Sequence, residues 1–185
     1  EYGDKIETLM FPYNIIENQG EEVLVKARSL GIATIAMKPL AGGNIDDYEL
    51  ALHYIMASPA IDIAIPGMGD PAEVSKNALA GESFKGFSEA DKAEAKKIAE
   101  KLGTTFCRRC GYCAPCTVGI NIPSNFLFDN YLLHYEGLEE WARGRYKAME
   151  KNAADCIECG ICETRCPYNL PIREMLKKVA VDFKA

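Results

Sequence analysis

Short apolar runs and longer amphipathic segments alternate over the first hundred residues. The apolar runs, at residues 8–11, 32–37 and 61–65, are rich in isoleucine, threonine and other residues that favour strands. Between them, apolar residues recur at helical spacing. This alternation is typical of β-α units, in which parallel strands form one sheet and helices connect them. We therefore predict an α/β fold with three parallel, buried strands in this part of the chain.

Capping residues mark the ends of the predicted helices. Gly31 follows the first helix as a C′ residue. Asp70 and Pro71 are the N-cap and the first residue of the third helix. The four helices are predicted over residues 21–30, over residues 46–57, from Pro71 onward and over residues 89–102. Three parallel strands cannot close a barrel and leave two unpaired edges, so we expect this sheet to need further strands beside it.

The chain changes character after residue 104. Residues 123–155 carry apolar side chains at helical spacing and predict two helices with a break near Gly137. We predict that these side chains form a helical core, and the alternative is a face that docks a partner protein. The residues concerned are Phe126, Leu127, Tyr131, Leu132 and Tyr135. Residues 105–185 are thus predicted to be an all-α domain, and residues 84–104 a connecting helix.

Composition argues against several classes of protein. The chain carries a formal net charge of −6, which argues against a nucleic-acid partner. Its apolar runs are much shorter than a membrane-spanning helix requires, and it does not open with a secretory signal. We therefore predict a cytoplasmic protein with neither a membrane nor a nucleic-acid partner. The opening residues, EYGDKIETLMF, are typical of the middle of a fold, so we expect the chain to be part of a longer protein.

All eight cysteines lie beyond residue 104, in the segments CRRCGYCAPC and CIECGICETRCP. Three thiols on one short loop cannot pair with each other as disulfides without strain, and no secretory signal indicates an oxidising compartment. Four-thiolate zinc sites also use CxxC pairs and are an alternative. The second segment, however, matches the bacterial ferredoxin pattern CxxCxxCxxxCP, which binds [4Fe–4S] clusters. Because the pattern occurs twice, we predict two such clusters.

In two-cluster ferredoxins, the last cysteine of each motif ligates the other cluster. Crossed ligation predicts a first cluster on Cys107, Cys110, Cys113 and Cys166. It predicts a second cluster on Cys156, Cys159, Cys162 and Cys116. The first motif departs from the pattern, because only two residues separate its last cysteines and Thr117 stands where the second motif has a proline. Clusters that join both motifs are expected to contribute folding energy.

The helical insert between the motifs distinguishes this domain from the small β-rich ferredoxins. In this respect residues 105–185 resemble the α-helical ferredoxin domains in the iron–sulfur subunits of succinate dehydrogenases and fumarate reductases. Arg108 and Arg109 lie between ligands of the first motif. A solvated pair is the ordinary expectation for such residues, and the alternative is that they raise the cluster potential or dock an acidic electron carrier.

Three segments of the first domain, FPYNIIE, GIATIAMKPLAGG and AIPGMGDPAEVSKNAL, resemble the sixth, seventh and eighth strand–helix units of an aldo/keto reductase barrel. This resemblance covers residues 1–83. With the cysteine motifs, the whole chain resembles the C-terminal half of aldo/keto reductase family proteins that carry a C-terminal dicluster domain. The resemblance implies a partial TIM barrel, and it makes the missing N-terminal half of the barrel, or a substitute subunit, an expected partner.

The resemblance also implies where a nicotinamide dinucleotide would bind, because ligands of TIM barrels gather at the C-terminal ends of the strands. In the family, the loop after the seventh strand runs beside the cofactor. That loop here contains Lys38, Pro39, Leu40, Ala41 and Gly42. Gly67 and Met68 follow the next strand, and Asn77 matches a family position that contacts the adenine.

The chain also departs from the family at this rim. Met37 stands where a tyrosine often stacks on the nicotinamide, and Glu73 stands where an arginine binds the 2′-phosphate of NADPH. A carboxylate repels a phosphate, so recognition of the 2′-phosphate is expected to be weak. NAD(P) is expected only together with the missing half of the barrel. The alternative is an ordinary barrel rim without a dinucleotide.

The catalytic Asp-Tyr-Lys-His tetrad of the family belongs to its first four strand units, which this resemblance does not include. We therefore predict no catalytic residue in the chain and do not assign Lys38 to the tetrad. His53 and His134 each stand alone in a helical segment and are expected to have ordinary structural roles.

These observations predict an iron–sulfur oxidoreductase of the aldo/keto reductase type, of which this chain is the C-terminal part. Its clusters would exchange single electrons with a redox partner protein, because a [4Fe–4S] cluster cannot accept a hydride directly. One alternative is an electron-transfer or assembly subunit in which the barrel remnant is a scaffold. The other is a protein whose clusters are purely structural.

Overall fold

The computed structural model describes residues 4–184, which form two compact units, Glu1–Glu100 and Lys101–Ala185. The first three residues of the predicted barrel segment, and the last residue of the predicted helical domain, lie outside the described residues. Each unit has its own hydrophobic core.

The N-terminal unit contains three parallel strands in the order β1-β2-β3, as predicted. These are β1 (Thr8–Pro12), β2 (Ala33–Met37) and β3 (Ile63–Ile65). The third strand begins two residues later than predicted because Asp62 makes side-chain contacts to β2. Its carboxylate accepts hydrogen bonds from the backbone N–H of Thr34 at 2.8 Å and from the Thr34 hydroxyl at 3.0 Å.

Four helices accompany these strands. They are α1 (Glu21–Ser29), α2 (Tyr48–Met56), α3 (Pro71–Ser83) and α4 (Glu89–Gly103). The prediction started α2 two residues too early, because Asp47 lies outside the helix and caps it by accepting from the Leu50 N–H at 2.9 Å. Asp70 caps α3 as predicted.

One cluster of core residues in this unit packs around Ala36 of β2. It consists of Tyr13, Leu24, Ala36, Ile55 and Ala60. The prediction that all three strands are buried was wrong for the two outer strands. Met10 of β1 is 51% exposed, and Ile63 and Ile65 of β3 are 52% and 41% exposed. Among the described residues, β1 and β3 are the edges of a three-stranded sheet, so their outward-facing side chains are not covered. The fold is mixed α/β, and its three strands do not close a barrel.

The C-terminal unit is helical, with the predicted break between its first two helices. Its elements are α5 (Ile122–His134), α6 (Glu139–Lys147), a 3₁₀ turn (Ala153–Asp155), α7 (Ile161–Thr164) and α8 (Ile172–Asp182). Gly137 has a φ of 81°, a left-handed conformation that ends the helical path between α5 and α6. No helix within residues 4–184 combines the length and the apolar character needed to cross a bilayer.

The core of this unit joins α5, α8 and the segments that follow the two cysteine motifs. It consists of Ile120, Ile122, Phe126, Tyr146, Ala153, Leu170, Ile172, Leu176 and Val179. Of the predicted core residues on α5, Phe126 alone belongs to it. Tyr131 instead contacts Tyr135 and Trp141, with ring centroids 4.8 and 5.2 Å away, in an aromatic group on the partly exposed side of the helix.

A pair of carboxyl groups joins α5 to α8. The side chains of Asp129 and Asp182 are hydrogen-bonded, and burial together with the charge of Asp182 raises the pKa of Asp129 to about 6. The Lys178 Nζ is 4.0 Å from the Asp182 carboxylate. A hydrogen bond between two carboxyl groups requires a proton, so ionisation of Asp129 weakens this contact.

The substitution Asp129→Asn is therefore expected to stabilise the protein in a pH-dependent way. Because the pKa of Asp129 is raised on folding, its stabilising contribution is present at low pH and is lost as the pH rises through about 6. At about pH 8 the substitution should raise the free energy of unfolding by about 1 kcal/mol, after allowance for solvent screening. Anaerobic thermal denaturation at about pH 5 and about pH 8 tests this. A gain of the same size at both pH values would contradict it.

Candidate metal centre

The two cysteine loops begin with the same backbone conformation. Arg109 and Glu158, at equivalent positions of the two motifs, are both left-handed, with φ of 55° and 56°. Two residues later Gly111 and Gly160 are left-handed as well, with φ of 82° and 78°. A left-handed conformation costs a non-glycine residue energy, so its recurrence indicates that the motif determines the loop. Left-handed residues in such loops turn backbone N–H groups toward a concave side that binds anions and iron–sulfur clusters.

All eight thiols are free, and four of them surround one cavity. Cys107, Cys110 and Cys113 of the first motif line it together with Cys166 of the second. The cavity is partly open and is lined on its inner side by core residues that include Phe126 and Ile172. The structure thus brings together the four cysteines predicted to hold the first cluster.

Contacts on both sides of Cys116 hold it beside the second motif. Before it, the Pro115 carbonyl accepts a hydrogen bond of 2.9 Å from the Arg165 guanidinium. After it, the Thr117 Oγ1 lies 3.3 Å from the Cys159 Sγ. Cys116 therefore lies close to the motif that contains the other three predicted ligands of the second cluster.

Burial and hydrogen bonds affect the thiols differently. Burial raises the pKa of Cys107, of Cys113 and of Cys162. The hydrogen bond with the Thr117 hydroxyl is the main cause of a lowered pKa at Cys159. Backbone N–H groups favour the thiolate forms as well, for example that of Arg109 at Cys107. A metal binds the thiolate form, so raised pKa values make assembly release protons and depend on pH.

Ion pairs fasten the second loop to α8. Arg173 donates from its backbone N–H and its Nε to the Glu163 carboxylate, at 2.8 and 3.0 Å, and its second guanidinium nitrogen is 2.8 Å from the same group. Lys177, one turn further along α8, is 2.9 Å from Glu158. A guanidinium–carboxylate pair with several hydrogen bonds fixes geometry as well as adding energy. These contacts orient the loop that carries Cys159 and Cys162.

The two arginines of the first motif are half-buried. Arg108 stacks on Tyr168 of the second motif, with its guanidinium carbon 4.0 Å from the ring centroid, and it lines the four-cysteine cavity. The charge of Arg109 lowers the pKa of Cys107. The expectation of a simply solvated pair was therefore wrong for Arg108, because its side chain contacts the second motif.

Most of the residues predicted to contact a dinucleotide follow the C-terminal ends of two neighbouring strands. Lys38, Pro39 and Leu40 directly follow β2, and Gly67 and Met68 follow β3, its parallel neighbour. Pro39 is fully buried, whereas Met68 is 48% exposed.

The side chains that follow on α3 differ in their hydrogen bonding. The amide N and O of the Asn77 side chain are buried without a hydrogen-bond partner among the described residues. The Glu73 carboxylate accepts from the Gly69 N–H, so it is turned toward the loop after β3. His53, as expected for a structural role, bonds the Ala80 carbonyl with its Nε2 at 2.8 Å and so links α2 to α3.

The contacts of Thr117, Glu163 and Arg173 around the second motif were not predicted from the sequence. For Thr117 a signal existed, since it replaces the proline that follows the last cysteine of the second motif. No local pattern predicts the Glu163–Arg173 pair, because the two residues come together only when α8 packs beside the loop.

The donor set fits iron–sulfur clusters. Cysteine-bound clusters require thiolate ligands and benefit from backbone N–H groups directed at sulfur, and the described residues provide both, on two loops with left-handed residues at equivalent positions. Within residues 4–184 no three or more His, Cys, Asp or Glu side chains form a site for a metal ion. In a cubane each thiolate binds its own iron, so the sulfurs need not converge on one point.

Residues 106–171 match a family model described as a 4Fe-4S dicluster domain. The matched segment contains all eight cysteines and the helical insert between the motifs. No match was found among curated proteins or among solved structures. The C-terminal unit therefore contains a ferredoxin-type 4Fe-4S dicluster domain, and this domain indicates iron–sulfur electron transfer.

Proposed function

We propose that the C-terminal unit binds two [4Fe–4S] clusters and passes single electrons between a donor and an acceptor protein. The observation that carries this proposal is the cavity lined by three cysteines of one motif and the last cysteine of the other. When bound, a [4Fe–4S] cluster supplies reversible one-electron exchange. The chain's own residues hold the thiolates, exclude water on the core side and orient the second loop through Arg173.

The test is the iron and sulfide content of the anaerobically prepared full chain, followed by EPR spectroscopy. We expect about eight iron atoms and about eight sulfides per chain, and an EPR signal after reduction with dithionite, because each cubane contains four of each. A colourless protein that holds zinc and gives no EPR signal would overturn the proposal. Half the expected iron would contradict only the proposal that a second cluster is bound.

We further propose that this domain serves an oxidoreductase of the aldo/keto reductase type. The parallel order of three strands and the loops at their C-terminal ends support this, as does the resemblance of residues 1–83. The orphaned amide of Asn77 supports a dinucleotide near Lys38, Pro39, Leu40, Gly67 and Met68. The catalytic tetrad would be supplied by further strands of the barrel or by a substitute subunit, and this chain alone would not reduce carbonyls.

Two measurements separate this proposal from its alternatives. Intact mass of the protein as it occurs in cells shows whether further barrel strands belong to it, and a carbonyl-reduction assay on that protein tests the enzyme. An electron-transfer or assembly subunit would reduce no carbonyl but would show reversible cluster reduction. Structural clusters would show no reversible reduction at a physiological potential. We propose the cytoplasm as its compartment, because thiols are kept reduced there.

A further inference from the structure

The departure of the first motif from the ferredoxin pattern has a structural consequence at the second motif. Thr117 stands directly after Cys116, where the equivalent position after Cys166 is Pro167. The Thr117 Oγ1 is 3.3 Å from the Cys159 Sγ, 42 residues further along the chain. A sulfur that binds iron carries no proton, so in the loaded protein the hydroxyl is the donor and the sulfur the acceptor.

Proline has no side-chain donor, so the equivalent hydrogen bond cannot come from Pro167. The two motifs have left-handed residues at equivalent positions near their starts, and a helix begins after each of them, at Ile122 and Ile172. They differ toward their last cysteines, and the hydroxyl of Thr117 is one of these differences. We propose that Thr117 is a positioning residue that makes the two clusters inequivalent, because its hydroxyl donates to Cys159 and raises the reduction potential of the cluster on that residue.

The sign follows from electrostatics. Reduction adds negative charge to a cluster and its sulfurs, and a hydrogen-bond donor stabilises that charge. The Thr117 hydroxyl thus raises the potential of the cluster on Cys159 above the value that this cluster has without the hydrogen bond. Arg173 acts in the same direction, since its positive charge also favours the thiolate form of Cys159. The inference rests on the proposed function, because it requires two bound clusters.

The experiment compares three variants of the full chain in anaerobic redox titrations followed by EPR spectroscopy. Thr117→Val removes the hydroxyl and keeps the shape of the side chain, whereas Thr117→Ser keeps the hydroxyl. Thr164→Val is the matched control. Thr164 lies in the motif that contains Cys159, but its hydroxyl donates to the Ile161 carbonyl at 2.9 Å and not to a sulfur. We expect Thr117→Val to move one of the two reduction steps to a more negative potential and to leave the other unchanged. Thr117→Ser and Thr164→Val should keep both steps.

A second measurement does not depend on the titration. Resonance Raman spectra of the natural chain in H₂O and D₂O should differ in an iron–cysteine stretching band, because the O–H···S hydrogen bond exchanges its proton. The difference should be smaller in Thr117→Val, in which only backbone N–H groups still bond the Cys159 sulfur, and it should be unchanged in Thr117→Ser.

Several outcomes would overturn the inference. They are unchanged steps in Thr117→Val, equal shifts of both steps, or the same shift in the Thr164→Val control. Loss of a cluster from Thr117→Val but not from Thr117→Ser would assign the hydroxyl to assembly instead. Loss of a cluster from both variants would show that the side chain at position 117 acts through packing and not through its hydroxyl. The iron and sulfide content of the natural chain is measured first, and a failure there would contradict the proposed function rather than the role of Thr117.

Discussion

Replacement of Cys166 by alanine is expected to remove the cluster bound by the first motif, although Cys166 belongs to the second. Cys166 lines the same cavity as Cys107, Cys110 and Cys113, and crossed ligation makes it their fourth ligand. The iron content should fall from about eight to about four atoms per chain. Iron analysis and EPR spectra of anaerobically prepared Cys166→Ala measure this loss.

Matched variants distinguish crossed from uncrossed ligation. If ligation is crossed, Cys166→Ala and Cys107→Ala lose the same EPR signal, and Cys116→Ala and Cys156→Ala lose the other. The placement of Cys116 between two contacts to the second motif supports the second half of this expectation. Loss of one signal from both Cys166→Ala and Cys156→Ala would show that each motif holds its own cluster, and crossed ligation would be wrong.

Removal of the clusters is expected to unfold the C-terminal unit. Its core contains nine buried residues, and Cys107, Cys113, Cys116, Cys156, Cys162 and Cys166 pack directly against that core. Without iron, only this small core and short connections would hold the loops together, and metal-dependent domains of this size commonly unfold when the metal is removed. Amide hydrogen exchange in α5 and α8 should become faster by on the order of 100-fold or more.

The three-stranded sheet provides the internal control for this experiment. Its core of Tyr13, Leu24, Ala36, Ile55 and Ala60 contains no cysteine, so exchange in β2 should change little when a chelator and an oxidant remove the iron. Reconstitution with iron and sulfide should restore protection in α5 and α8. Unchanged protection of α8 in the iron-free protein would show that packing alone folds the unit, and that the clusters contribute no folding energy.

Much of the fold could be predicted from the sequence because its determinants are local. Period and capping residues located the predicted ends of α1 to α4 to within two residues, as at Asp70, and the break at Gly137, whereas α7 and α8 were not predicted individually. The parallel order of the strands followed from the alternation of strands and helices. The errors arose where a side-chain contact sets the start of a strand, or where the number of strands in the sheet sets the exposure of its residues. Asp62 shortened β3 through its contacts with Thr34, and the edge position of β3 left Ile63 and Ile65 exposed.

The cysteine motifs predicted a [4Fe–4S] domain by spacing alone, and the match of residues 106–171 to a 4Fe-4S dicluster domain agrees with that prediction. A spacing rule works here because three thiolates on one loop must fit one cluster, and the chain between them fixes their reach. The sequence by itself therefore determined the class of cofactor and the ligand type.

Only the tertiary structure decided which groups surround those ligands. The contacts of Thr117 with Cys159, of Arg165 with Pro115 and of Arg108 with Tyr168 join residues about 40 to 60 positions apart, which no local pattern encodes. The carboxyl pair of Asp129 and Asp182 likewise exists only because α5 packs against α8. Hydrogen bonds and charges act over a few ångströms in space, and their effect on a thiolate is set by the folded arrangement and not by distance along the chain.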